Sequence, residues 1–299
     1  MLRTRLLTAA ILAPLILGVV LLGEPWLSLL VGVAAFLALV ELVALLDAAG
    51  YQPPQVLTIL AGVALTAAGL VAVNRDSAGG VLATLLSALD PPGLVAATLV
   101  AAMLLLAIAA FMRSDPRDGF ITWAMSSFGI AYVGLLLPAI ALVAHLAPQG
   151  GSSATPVGML DLSSGVAWTL TLVLVVWGYD TGAYLIGRMI GRTRLVDHIS
   201  PSKTIEGLAG GLVAATIAAG IGAALVGLEP WHPLLLGPVV GMAAQAGDLA
   251  ESLLKRAAGR KESGFLVPGH GGILDRVDSF LFAAPVLAGY ALLVAGRGA

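Results

Sequence analysis

Apolar runs long enough to cross a lipid bilayer recur along almost the whole of this 299-residue chain. A helix of about 20 apolar residues covers the hydrocarbon core of a membrane, which is about 30 Å thick. The candidate spans lie at residues 6–23, 26–47, 55–73, 94–112, 119–146, 166–187, 205–227, 233–254 and 277–296. The sequence therefore predicts an all-α, polytopic integral membrane protein with about nine transmembrane helices.

The composition agrees with this prediction and excludes several kinds of chemistry. The chain is 59% hydrophobic and 11% charged, and its mean hydropathy is +1.00. Because it has no cysteine, disulfides, thiolate nucleophiles and cysteine metal sites are excluded. The basic residues are dispersed among acids without an aromatic-interleaved patch, so we expect no nucleic-acid partner. The first apolar run lacks a convincing cleavage site, which indicates an uncleaved helix rather than a signal peptide.

The distribution of basic residues predicts the orientation in the membrane. With the N-terminus in the cytoplasm, thirteen of the fifteen Lys and Arg residues lie in inner segments and two in outer segments. Such a bias is typical of cytoplasmic loops, so we predict a cytoplasmic N-terminus and an external C-terminus. Residues 1–165 would form an N-terminal region of about five spans. Residues 166–299 would form a catalytic region, with cytoplasmic loops at 188–204 and 255–276.

The most charged part of the chain lies between residues 245 and 279. It holds ten of the 32 charged residues. If its first part is helical, one stripe of the helix is polar and the opposite side carries leucines. That stripe consists of Gln245, Asp248, Glu251, Ser252 and Lys255. Asp275 and Asp278, three apart, would also share a helix face, and a turn-rich loop, 268–272, lies between the two segments.

Carboxylates and basic side chains in this arrangement suit the handling of phosphates. Carboxylate oxygens can hold Mg²⁺, which commonly bridges protein carboxylates to phosphate oxygens. Lys and Arg can neutralise the remaining negative charge. Upstream, Ser200 and Pro201 resemble a helix start, and a helix N-terminus beside Lys203 would bind phosphate well. The sequence therefore predicts a metal-assisted phosphate site.

Three further residues have more than one interpretation. Asp180, within an apolar span, is either a polar ligand of the nucleotide or metal site or a buried acid paired with a neighbouring helix. Glu41, in the second span, could pair with a basic residue or line a lipid path. His270 has no second histidine at ligand spacing, so we expect it to order its loop or to contact phosphate. Gly271 and Gly272 are expected to meet conformational requirements, and their N–H groups could face a phosphate.

These motifs resemble the phosphatidate cytidylyltransferases, also called CDP-diacylglycerol synthases. The family signature has the form S-x-x-K-R-x4-K-D-x-G followed by P-x-H-G-G-x-x-D-R-x-D. The chain matches it from Ser252 through Asp278, with one departure: Glu262 stands where the family usually has Asp. The segments Asp180–Tyr184 and Ser200–Gly207 match two further motifs of the family, D-T-G-A-Y and S-P-x-K-T-x-E-G.

The resemblance implies the reaction of CTP with phosphatidate to give CDP-diacylglycerol and pyrophosphate. We predict Asp248, Lys255, Asp275 and Asp278 as catalytic residues, with Asp248, Asp275 and Asp278 as ligands of one or two Mg²⁺ ions. The predicted substrate-binding residues are Asp180, Ser200, Lys203, Ser252, Arg256, Lys261, His270, Gly271, Gly272 and Arg276. The expected location is the bacterial inner (plasma) membrane, with the active site facing the cytoplasm.

Two alternatives remain open. A CTP-dependent polyprenol or lipid kinase would transfer the γ-phosphate instead of the nucleotidyl group. An ion-coupled transporter would use intramembrane carboxylates for flux, although the chain shows no strong internal repeat of the kind that many transporters have. The expected partners are CTP, phosphatidate and the bilayer. The Gly- and Ala-rich stretch 209–224 favours close helix packing, which also permits a homodimer.

Overall fold

The computed structural model describes residues 2–74, 90–146, 154–157, 160–267, 269 and 271–295. Its helices are α1 Leu2–Leu22, α2 Trp26–Ala48, α3 Gln55–Asn74, α4 Pro91–Phe111, α5 Pro116–Gly129, α6 Ala139–Ala144, α7 Ser164–Ile190, α8 Ile205–Val226, α9 Pro233–Ala257 and α10 Leu274–Ala295. A π-helical segment, Ile130–Leu135, follows α5. The strands are β1 Ala154–Val157, β2 Leu160–Ser163, β3 Arg194–Val196 and β4 Ser200–Thr204.

Seven helical stretches within the described residues are long and apolar enough to cross a membrane. They are Trp26–Ala48, Gln55–Asn74, Pro91–Phe111, Pro116–Ala144, Ser164–Ile190, Ile205–Val226 and Leu274–Leu293. The predicted all-α, polytopic membrane class is therefore confirmed. The other two predicted spans are also helical: the apolar part of α1, Ala10–Leu22, is shorter, and polar residues lower the hydropathy of α9. The total of nine spans and the orientation of the termini stay predictions.

The chain divides into two compact units. The first comprises Met1–Ala9, Ser28–Ala141 and Leu254–Val277, and the second comprises Ala10–Leu27, Leu142–Leu253 and Asp278–Ala299. Both units draw on segments from either side of residue 165. The division into an N-terminal and a catalytic region concerns function and stays a prediction.

In the first unit, α3 packs against α4 and against the π-helical segment. Ala61, Ala102, Leu106 and Ile130 form a buried apolar cluster at this packing. Helix α4 begins after an aspartate N-cap followed by proline, a combination that suits a helix start; the Asp90 carboxylate accepts a hydrogen bond from the amide of Gly93 at 2.9 Å. Local capping therefore defines where this helix begins, and burial of small apolar side chains holds it in place.

In the second unit, α7 and α8 form the most extensive helix pair among the described elements. The face that α8 buries carries mostly Gly and Ala, including Gly211, Ala215 and Ala219. Small side chains let two helix backbones approach closely, as the sequence of 209–224 predicts. Helix α8 ends at Val226, and the next residue, Gly227, has the left-handed conformation (φ 75°) that is typical of a helix C-terminus.

The predicted helix start at Ser200 and Pro201 is wrong. These residues lie in β4, which pairs antiparallel with β3, and α8 begins only at Ile205. The N-cap is Thr204, whose hydroxyl accepts a hydrogen bond from the amide of Gly207 at 3.0 Å. Pairing with β3 outweighs the local capping signal, because it satisfies backbone groups that a helix start would leave without partners.

Candidate active site

In the second unit, Lys203 and Asp248 form an ion pair. Lys203 lies at the end of β4, immediately before the N-cap of α8, and Asp248 lies on α9. The Asp248 carboxylate also accepts a hydrogen bond from the hydroxyl of Ser252, one turn further along α9, at 3.3 Å. The side chains of the pair are 20% and 27% exposed. The structure thus brings together three residues that the sequence assigns to substrate or metal binding.

The polar stripe predicted on residues 245–255 is present on α9. Gln245, Glu251, Ser252 and Lys255 are all buried, whereas Leu253 on the other side of the helix is 52% exposed. This distribution is the reverse of that on a water-soluble amphipathic helix. It is the distribution expected where leucines face lipid and polar groups face the protein interior.

A buried hydrogen bond joins this stripe to helix α7. The hydroxyl of Tyr179, on α7, donates a hydrogen bond of 2.6 Å to the amide oxygen of Gln245. Tyr179 is the residue before Asp180, which is exposed on the same helix. Gln245 belongs to the predicted stripe, but the sequence assigns neither it nor Tyr179 a role. Tyr179 cannot be told from the apolar residues around it in the span, so the sequence does not indicate its hydrogen bond.

In the first unit, Lys255 and Asp275 form a second and more deeply buried ion pair. The Lys255 ammonium donates to Oδ1 of Asp275 at 2.6 Å, and the two side chains are 11% and 7% exposed. Removing two charges from water is costly, and their attraction offsets that cost only if the remaining lone pairs are also satisfied. This ion pair joins the end of α9 to the first turn of α10.

The second oxygen of Asp275 is satisfied by the loop before α10. Oδ2 accepts hydrogen bonds from the amide of Ser263 at 2.8 Å, from its hydroxyl at 2.7 Å and from the amide of Gly272 at 2.9 Å. Gly271 has a left-handed backbone (φ 79°), and a Cβ there would lie 2.5 Å from Oδ2. A Cβ on Gly272 would overlap Ser263 and Glu41. The two glycines therefore let the loop close around the carboxylate, as expected from their sequence.

Glu41 of α2 contacts the same loop. It accepts hydrogen bonds from the Ser263 hydroxyl at 2.9 Å and from the amides of Ile273 at 3.0 Å and Leu274 at 2.8 Å. The first interpretation of Glu41 expected a basic partner, whereas the partners observed are two backbone amides and a hydroxyl. The sequence indicates Glu41 because an acid is unusual in an apolar span. Ser263, a serine in a polar loop, carried no such signal.

The remaining predicted site residues have different surroundings. Ser200 is buried on β4, and the Asp278 carboxylate accepts a hydrogen bond from the amide of Ser279 at 2.6 Å. Three predicted phosphate-binding residues are exposed: Arg256, Lys261 and Arg276. The Arg256 guanidinium donates to the carbonyl of Arg260 at 3.3 Å. His270 lies outside the described residues.

The donor chemistry of both clusters fits Mg²⁺. Asp248 and Asp275 offer carboxylate oxygens, the ligand type that this ion prefers. Across the described part of the chain, no group of three or more His, Asp or Glu side chains is placed to hold a metal by itself. Mg²⁺ in nucleotide enzymes is commonly held by one or two carboxylates together with substrate phosphates and water. Asp248 and Asp275 therefore fit an ion whose other ligands are phosphate oxygens and water.

Comparison with known proteins adds an independent line of evidence. The chain is 42% identical over 136 residues to a phosphatidate cytidylyltransferase of Synechocystis sp. The aligned region covers 45% of this chain and 46% of that protein. The chain is 46% identical over 127 residues to one of Staphylococcus saprophyticus (42% and 49%) and 45% identical over 125 residues to one of Bacillus subtilis (41% and 46%).

The aligned region spans about half the length of these curated relatives. A profile of the cytidylyltransferase family matches far more of the chain, residues 3–294. The family predicted from the motifs is thereby confirmed, and the chain belongs to the cytidylyltransferase family.

Proposed function

We propose that this protein is a phosphatidate cytidylyltransferase, which converts CTP and phosphatidate into CDP-diacylglycerol and pyrophosphate. The observation that carries the proposal is the pair of partly buried Lys–Asp contacts, Lys203–Asp248 and Lys255–Asp275, on the segments that carry the family motifs. The relatives named phosphatidate cytidylyltransferase support the same substrate pair.

The chemistry requires neutralisation of charge more than removal of a proton. A phosphate oxygen of phosphatidate attacks the α-phosphorus of CTP, a new P–O bond forms, and the bond from that phosphorus to the β-phosphate oxygen breaks. Pyrophosphate leaves with the electron pair of the broken bond. Because both reactants are anions, cationic groups must stabilise the charge that accumulates on the transferring group and on the leaving pyrophosphate.

The two lysines are suited to this task. Each is partly or largely withdrawn from water, where a positive charge interacts with a phosphate more strongly than at an exposed position. Their aspartate partners hold them in place before substrate binds. We assign Lys203, Lys255 and Arg256 to phosphate binding, with Ser200, Ser252, Lys261, His270, Gly271, Gly272 and Arg276 as further substrate contacts and Asp180 as a polar ligand of the nucleotide or metal.

Asp248 and Asp275 would hold Mg²⁺, one ion or two, with Asp278 assisting. When bound, Mg²⁺ neutralises phosphate charge and stabilises the leaving group. The carboxylates have a second role in the protein itself, since each one orients a lysine.

The positive-inside bias supports a cytoplasmic N-terminus, an external C-terminus and an active site on the cytoplasmic side of a bacterial inner membrane. Nucleotide triphosphates are available on that side. The substrate lipid would reach the site without leaving the bilayer, since α7, α8 and α10, which carry motif residues, are long and apolar enough to cross it. A homodimer stays a prediction from the Gly- and Ala-rich helices.

The test is pyrophosphate release by detergent-purified protein supplied with CTP, phosphatidate and Mg²⁺. Controls omit the lipid, omit the nucleotide or add EDTA. The expected result is release that needs all three components, with CDP-diacylglycerol formed in equal amount. A parallel reaction with a polyprenol in place of phosphatidate tests the kinase, for which CDP and polyprenyl phosphate are the products. Gradient-dependent flux in reconstituted vesicles, without pyrophosphate release, would indicate the transporter.

A further inference from the structure

Glu41 is a buried acid that the reaction described above does not use. It lies in the middle of the largely apolar helix α2 and is 5% exposed. Burying a carboxylate among apolar side chains is costly unless hydrogen bonds satisfy it. Glu41 meets this condition with three donors, all from the loop and helix start that carry the end of the family signature.

Two of these donors are the amides of Ile273 and Leu274, at the beginning of α10. The first amides of a helix have no partner within the helix, and a negative charge is favourable there. Glu41 therefore acts as a cap supplied by another helix. The next residue along the chain is Asp275, so the cap holds the backbone immediately before the proposed metal ligand.

The third donor links Glu41 to Asp275 through one atom. The hydroxyl oxygen of Ser263 lies 2.9 Å from Oε2 of Glu41 and 2.7 Å from Oδ2 of Asp275, and it accepts from the Asp275 amide at 3.3 Å. A hydroxyl carries one proton, so the two carboxylates share a single donor. A displacement of Glu41 would therefore change the hydrogen bonding of Asp275 directly.

The loop backbone is also shaped around Glu41. A Cβ on Gly264 would lie 2.5 Å from Oε1, and a Cβ on Gly272 would overlap Oε2. Glycine at both positions lets the chain pass close to the carboxylate. The loop thus meets Glu41 both before and after the bridge between Val267 and Gly271, where the amide of Val267 donates to the carbonyl of Gly271 at 2.9 Å.

We propose that Glu41 is a positioning residue that sets the orientation of the Asp275 carboxylate, through Ser263 and through the capped start of α10. Its catalytic consequence rests on the proposed function, whereas its effect on the loop does not. Mutation of a residue that hydrogen-bonds to a metal ligand and orients it typically lowers activity by about 10- to 100-fold. We expect that loss here from a residue of the N-terminal half, outside the family motifs.

The test compares Glu41→Gln with Thr66→Val in the purified full chain. The glutamine keeps the size of the side chain but has only one oxygen to accept hydrogen bonds. Thr66 is a buried residue of the same unit, on α3, and its hydroxyl donates to the carbonyl of Gly62 at 2.9 Å. Glu41→Gln should lower kcat by about 10- to 100-fold at nearly unchanged KM for CTP. Thr66→Val should lower thermal stability and leave kcat within about threefold of wild type.

Hydrogen exchange of the peptide covering 263–276 gives a readout without substrate. It should speed up in Glu41→Gln and stay unchanged in Thr66→Val. Wild-type kcat together with unchanged exchange in Glu41→Gln would overturn the proposal. If Glu41→Gln does not accumulate as folded protein, Ser263→Ala tests the same link, and full kcat in that variant would overturn it. Faster exchange in a protein whose wild type releases no pyrophosphate would support the positioning of the loop and refute the assigned reaction.

Discussion

Lys203 and Asp248 form an ion pair although 45 positions of the chain separate them. Lys203 precedes the N-cap of α8 and Asp248 lies on α9, so folding of the two helices into a hairpin closes the contact. Both side chains are about three-quarters withdrawn from water, which makes the pair stronger than one between exposed charges. The contact joins two motifs that the sequence shows only as separate segments.

Asp248→Asn should reduce the rate of CDP-diacylglycerol formation by at least about 100-fold, the loss typical when one electrostatic group of an active site is removed. The variant should remain folded, because asparagine keeps the shape of the side chain and can still accept from Ser252. The rate is measured as pyrophosphate release under saturating substrates.

The matched control is Asp197→Asn. Asp197 forms an ion pair with Arg194 in the same region, but those side chains are 62% and 58% exposed. Exposed pairs contribute little, so the control should keep a rate within about threefold of wild type. Near-normal activity of Asp248→Asn would contradict its assignment as a metal ligand.

Lys255→Met should lower the stability of the protein as well as its activity. It leaves Asp275 as a buried charge without its cation, and breaking a buried pair from one side costs about 3–5 kcal/mol. Adding Asp275→Asn should recover much of the stability, because the unpaired charge is gone, but should not recover activity. Thermal unfolding in detergent and pyrophosphate release measure the two effects separately. A double variant no more stable than Lys255→Met would argue against a buried-charge penalty.

Gly272→Ala should destabilise the loop and reduce activity. The added methyl group would overlap the Glu41 carboxylate and the Ser263 hydroxyl, and overpacking of this kind costs about 1–3 kcal/mol. Gly220→Ala, on α8, is the control, since a Cβ there meets nothing within 4 Å and alanine is favoured by up to about 1 kcal/mol in a helix. The unfolding temperature should therefore fall in Gly272→Ala and rise in Gly220→Ala. An equally stable Gly272→Ala protein would show that the loop has room for the methyl group.

Glu262→Asp, which restores the residue usual in the family, should have little effect. Glu262 is exposed, and exposed substitutions usually change free energies by no more than about 0.5 kcal/mol. We therefore expect KM for CTP and kcat within about twofold of wild type, a range that corresponds to this energy. A large gain in either constant would instead assign the position a direct role with substrate.

Features that depend on neighbouring residues could be predicted from the sequence. The apolar runs predict the spans, because a helix in lipid needs only its own length and hydrophobicity. The stripe from Gln245 to Lys255 follows from helical periodicity, and it is present on α9. The family followed from motif spacing, which the profile match confirms.

The failed prediction at Ser200 shows the limit of this local reasoning. Serine followed by proline suits a helix start, but pairing with β3 places both residues in a strand. Which backbone groups find partners in a hairpin depends on another segment of the chain. The partner strand lies only a few residues before Ser200, but the serine–proline pair by itself does not show that this strand forms.

The sequence by itself determined the membrane class, the polar stripe of α9 and the family, because length, periodicity and motif spacing are properties of contiguous residues. Only the tertiary structure decided that Lys203 pairs with Asp248 and that Lys255 pairs with Asp275. It also decided that Glu41 meets Ser263 across 222 positions of the chain. A hydrogen bond or ion pair requires two side chains within about 3 Å of each other, and for distant residues folding alone achieves that distance.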